Sequence, residues 1–174
     1  QTKDPSDYLD GKQFHVSSSA RHDSSFDRNK FSILAAGAYG DLEAMVQVVD
    51  HSLSERNLHD DVTMSANGLD GEQESLFTKL KYNLNDSISF TLTADEQNWS
   101  GDWNLATDVG MSFFPAIVNT SSSLGQYRGF RDRYSLDIDL EINSIFAERA
   151  SVKFYSQTTE PVSYTHLRAH ETRI

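Results

Sequence analysis

The sequence predicts an all-β protein, an antiparallel up-and-down meander of about seven strands forming part of a transmembrane β-barrel. Three observations predict it. Apolar and polar residues alternate with a period of two over several segments. The connections between these segments alternate between short and long. No run approaches the roughly 18 to 20 consecutive apolar residues that a membrane helix needs. Bulk composition, 37% apolar, does not oppose a barrel, because only every second side chain of a barrel strand meets lipid.

The segments at 14–20, 30–39 and 42–50 alternate weakly, the last two carrying small or apolar residues on both faces. Leu76, Leu80 and Tyr82 then alternate with Lys79 and Lys81, with Phe77 as the exception. In Ile88-Ser89-Phe90-Thr91-Leu92-Thr93-Ala94-Asp95 the even positions are apolar. The run from Tyr134 to Ile142 repeats that pattern without a break. Ala150, Val152 and Phe154, set between Arg149, Ser151 and Lys153, supply a last strand. A helix, with its 3.6-residue period, would not sort these residues so.

Gly40-Asp41, Asn83-Leu84-Asn85-Asp86 and Glu141-Ile142-Asn143-Ser144 are short and rich in turn formers. Positions 21–28, 51–71 and 97–132 are expected to be the long loops. An outer-membrane barrel has this asymmetry, with short periplasmic turns on one rim and long extracellular loops on the other. An odd, unclosed set of strands leaves two bare edges that lipid cannot satisfy, so the chain is expected to be part of a larger barrel. Residues 1–10 would lead into it and residues 11–161 would be its first strands.

The formal charge is 15 minus 26, or −11, which argues against a nucleic-acid partner, since phosphate contacts need cations. Cysteine is absent, so there is no thiolate site or disulfide framework. The opening Gln1-Thr2-Lys3 has neither an initiating Met nor an apolar leader, and the native start is expected upstream. Residues 162–174 resemble translated sequencing-adapter read-through and are set apart as an artefactual tail. Without Arg168, Arg173 and Glu171 the balance is 13 basic against 25 acidic residues, or −12. His166 and His170, with Glu171 beside them, have the spacing of a helical zinc pair. They are set aside with the tail, and no metal site is expected.

Three stretches carry a family resemblance. Thr2-Lys3-Asp4-Pro5-Ser6-Asp7-Tyr8-Leu9 resembles the junction where plug gives way to barrel in TonB-dependent haem and haemoglobin receptors. Gln73-Glu74-Ser75-Leu76-Phe77-Thr78-Lys79-Leu80, followed by Leu84-Asn85-Asp86, resembles a hairpin of that family. Arg133-Tyr134-Ser135-Leu136 resembles the return strand after its third long loop. The resemblance implies a plug inside a barrel of about 22 strands in the bacterial outer membrane. It also implies energy supplied by the TonB complex through an N-terminal region absent here, and import of haem or haemoprotein iron. The family's haem-ligating histidines match no position of this chain, so no ligand residue carries over and no cofactor is expected to be resident. A barrel for another cargo (siderophore, vitamin or oligosaccharide) and a soluble β-sandwich binding module are the alternatives.

Candidate ligand contacts come from the loops alone. His51 and His59, near Asp50, Asp60 and Asp61, carry chemistry suited to iron or haem, although a solvated loop collects the same residues. Trp99, Trp103, Phe113, Phe114 and Tyr127 cluster in the third loop. They could bind a haem face or a partner protein, pack the loop on itself, or, for Trp99, join an interfacial aromatic girdle. His15 is expected to face the lumen. Asp137 with Asp139, and Asp60 with Asp61, read as polar positions lining a wet wall rather than a catalytic pair. Asp108-Val109-Gly110 makes no phosphate loop and Ser121-Ser122-Ser123 no nucleophile elbow, so no enzymatic activity is expected.

Overall fold

A computed structural model describes residues 3–25, 27–54, 68–104, 110–112, 118–142 and 147–171. After a one-turn helix α1 (Ser6–Leu9) the chain runs through β1 (Phe14–Asp23), β2 (Arg28–Tyr39), β3 (Leu42–Ser54), β4 (Gly68–Asn85) and β5 (Ile88–Asn104). A three-residue β6 (Gly110–Ser112), β7 (Val118–Glu141) and β8 (Arg149–Glu171) follow. All belong to one antiparallel sheet in which the seven long strands pair in chain order. The all-β meander expected from the alternation is therefore present, with β6 as a small addition on β7.

The tight turns fall where turn chemistry put them. Tyr39 pairs with Leu42 across Gly40-Asp41, and Gly40 has φ +57°, the positive value that a type II′ hairpin takes at its first central residue. At the next turn the Ser87 N–H donates to Asn85 Oδ1 at 2.9 Å, and a register shift between Asn83 and Asn85 leaves Leu84 bulged. The third turn is longer than expected: β7 ends at Glu141, β8 starts at Arg149, and the Ile142 N–H donates to the Glu148 carbonyl at 2.9 Å. Asn143 and Ser144 lie outside the described residues.

The long connections are corrected more strongly. The ladder between β1 and β2 runs to Asp23 and Arg28, leaving only positions 24–27 as a connection. β3 and β4 take in residues 51–54 and 68–71. Most of the expected third loop is strand, because β5 reaches Asn104 and β7 begins at Val118. Large side chains such as Trp99, Trp103, Tyr127 and Phe130 stand among polar and glycine residues in these extensions without a regular period of two, yet the backbone ladder continues. β8 likewise pairs with β7 through positions 162–171, which the sequence had set apart.

Register sorts the side chains by chemistry. One face carries Val16, Phe31, Ile33, Val46, Val48, Leu76, Leu80, Leu92, Leu136, Val152 and Phe154, all exposed. The opposite face carries Gln47, Lys79, Lys81, Thr91, Thr93, Asp95, Arg133, Ser135, Asp137 and Lys153. Against this polar face lies the N-terminal segment, where Leu9 closes a small core with Leu34, Ala36 and Met45, flanked by Tyr8, Ala38 and Phe77. Ala94 and Tyr134 are the last apolar residues facing each other on it. Beyond them the same face of β4, β5 and β7 is mostly polar, with Glu74, Glu72, Asn98, Asp102, Asp132 and Gln126, and carries Phe130 and Leu124 among them. At about 3.3 Å per residue the 24-residue β7 is much longer than the roughly 9 to 11 residues that cross a bilayer.

Candidate functional site

Two residues singled out from sequence come together on the polar face. Lys30 pairs with His51, His51 with Gln73, and Gln73 with Trp99, so the four form one row across β2, β3, β4 and β5. Residues directly opposite on one face have Cβ atoms about 5 Å apart, so the four are lateral neighbours in the row. Below it stand Val49, Ser75 and Gln97, then Gln47, Phe77 and Asp95. Between these rows and the N-terminal segment lies a cavity of about 360 Å³, bounded also by Lys3, Tyr8 and Met45.

Ion pairs organise the rest of the face. Asp95, whose side chain is only 10% exposed, accepts from Arg133 Nη2 at 2.9 Å and Arg131 Nη2 at 3.3 Å. Asp137 pairs with Lys153 and Asp139 with Arg149, each at 3.0 Å, so the two carboxylates that could suggest catalysis are each held by a cation. Asp4 pairs with Lys79 at 2.7 Å and Lys81 at 3.4 Å, and Lys79 also donates to the Lys3 carbonyl at 3.1 Å. This clamp ties the start of the chain to the middle of β4. Burial alone would raise the Asp4 carboxyl, but hydrogen bonds and charge from Lys79 and Lys81 outweigh it and hold the group below its ordinary value. His15 shares the face, its ring 6.2 Å from that of Tyr8.

No family model and no curated protein matches the sequence.

Trp99 and Trp103 are strand residues on the polar face, not loop residues, and Trp99 does not stand among the outward apolar side chains as a girdle residue would. Each indole lies over a glycine directly across the ladder. A Cβ at Gly129 would come within 2.7 Å of Trp99 Cζ2, and one at Gly125 would overlap the Trp103 ring. Tyr127 does the same from β7, its hydroxyl 2.5 Å and 2.6 Å from where side chains at Gly71 and Gly101 would start. Only glycine at these four positions leaves room for the rings. Sequence reasoning missed the arrangement, although glycines spaced by four in β7 opposite tryptophans spaced by four in β5 are its signature. His59, Asp60, Asp61, Phe113 and Phe114 lie outside the described residues.

Proposed function

We propose that the chain is a wall segment of a bacterial outer-membrane transport barrel of the TonB-dependent haem-receptor type, and a transporter rather than an enzyme. One observation carries this reading: the large exposed apolar side chains concentrate on one face of a single sheet, while every described ion pair lies on the other. A soluble sandwich would cover such a face with a second sheet. Among the described residues there is one sheet only. Lipid is the solvent that suits an uncovered apolar band flanked by polar strand extensions. The N-terminal segment seated on the polar side fits a plug leading into its barrel. The haem assignment rests on the resemblance and on His51 and Trp99 sharing the inner row.

The test is a cysteine scan, made simple because the chain has no cysteine. Single cysteines at Val46, Leu92 and Leu136, and at Gln47, Thr93 and Ser135, are labelled with an environment-sensitive fluorophore in lipid vesicles carrying a lipid-borne quencher. Quenching confined to the first set is expected. Equal quenching of both sets, or a monomer that stays in water without lipid, would overturn the barrel reading. Haem titration of the vesicle-bound chain then tests the cargo. A Soret shift lost in His51→Ala is expected, and no shift would move the reading to another cargo.

A further inference from the structure

The cavity beneath the Lys30 row inverts the charge of the molecule around it. The chain carries −11 overall, yet the described residues bounding the cavity include two lysines, Lys3 and Lys30, one histidine, His51, and a single carboxylate, Asp95. That carboxylate is already engaged by two guanidinium groups, Arg131 and Arg133. Neither Lys3 nor Lys30 joins an ion pair with a described residue; Lys3 Nζ instead lies 5.3 Å from the Tyr8 ring. Burial, helped by the charges of Arg28 and Lys30 and opposed by Asp50, holds the His51 imidazole below its ordinary value, so the positive charge at the cavity comes from the lysines. Gln47, Gln73 and Gln97 supply neutral amides from three neighbouring strands, and Met45, Val49 and Phe77 give an apolar floor. A volume of about 360 Å³ lies within the usual range for small-molecule sites.

We infer that this cavity binds a small organic anion, its carboxylate or phosphate group at the Lys30–His51 end and its uncharged part against the glutamines and Phe77. The inference goes beyond the transport reading and stands on the wall geometry alone. Carboxylate and phosphate share the chemistry that would recognise them here: ammonium groups that supply the charge, with the N–H of a neutral imidazole as a further donor to the anion, strengthened by partial exclusion of water.

The chain has two tryptophans, so Trp103→Phe leaves Trp99, at the end of the same row, as sole reporter. Its emission is followed while citrate or inorganic phosphate is added at constant ionic strength, with chloride as the blank. Saturable change with citrate only assigns a carboxylate, with phosphate only a phosphate group, and with both a site that reads charge. Lys30→Gln and His51→Gln should each weaken binding about tenfold or more, while Lys30→Arg retains it. Lys153→Gln, which removes an ion-paired cation outside the cavity, should leave affinity unchanged. Circular dichroism confirms that each variant folds. Failure of both anions to saturate, or equal weakening in Lys153→Gln, would overturn the proposal. Lipid-side quenching in the cysteine scan does not depend on anion binding, so either result can fail alone.

Discussion

The indole of Trp103 fills the space in which a side chain at Gly125 would begin, directly across the β5–β7 ladder. Gly125→Ala should therefore force the ring aside and destabilise the sheet by about 1 to 3 kcal/mol, the usual range for overpacking. Gly37→Ala is the comparison, since a Cβ there meets its nearest neighbours at 3.6 Å and 3.7 Å. It should stay within about 0.5 kcal/mol of the parent. Urea unfolding followed by tryptophan emission separates the two.

Asp95 and Asp139 predict a second contrast. Asp95 is nearly buried between Arg131 and Arg133, whereas the Asp139–Arg149 pair is 29% and 68% exposed. Asp95→Ala leaves two guanidinium groups facing each other without their shared anion and should cost about 2 to 3 kcal/mol. Asp139→Ala should cost less than about 1 kcal/mol. Equal losses in the same unfolding assay would contradict the burial argument.

Acid should release the N-terminal clamp. The Asp4 carboxyl titrates below its ordinary 3.8 when folded, because Lys79 and Lys81 outweigh the burial that pushes the other way. A depressed folded value means that the stabilisation is complete above 3.8 and fades as pH falls through the folded value. Hydrogen exchange at the Lys12 amide, which bonds the Leu9 carbonyl at 2.8 Å, reports the docked segment. Its protection should fall in acid for the parent, and should already be low near neutral pH in Asp4→Asn.

Neighbouring positions on β7 should respond oppositely to the same charge. Leu136→Arg places a guanidinium on the outward apolar face, at an expected cost of about 2 to 4 kcal/mol if that position lies near the bilayer midplane. Ser135→Arg places it on the polar face beside Asp137 and should be tolerated. The fraction of chain recovered folded in lipid vesicles measures both.

Where one face was apolar and the other polar, the sequence was enough. The Tyr134 to Ile142 run and the Ile88 to Asp95 run announced both strand and facing, and Gly40-Asp41 announced its turn. Legibility stopped where the regular alternation broke off. Gln97, Asn98 and Ser100 read as loop because no alternation marks them, whereas backbone pairing with β7 continues there. The candidate site was half legible. His51 and Trp99 were picked out by residue type, but their shared row depends on pairing through Gln73, which no local pattern encodes. The Asp4–Lys79 clamp joins residues 75 positions apart, and the glycines beneath the tryptophans belong to another strand.

β5 and β7 stay in unbroken register from Ile88 and Leu140 up to Asn104 and Leu124, well past the last outward apolar pair. The connection at the top is thus carried on a paired stem whose alignment is fixed far below. Insertions, deletions and substitutions there can accumulate without shifting a single residue of the apolar band.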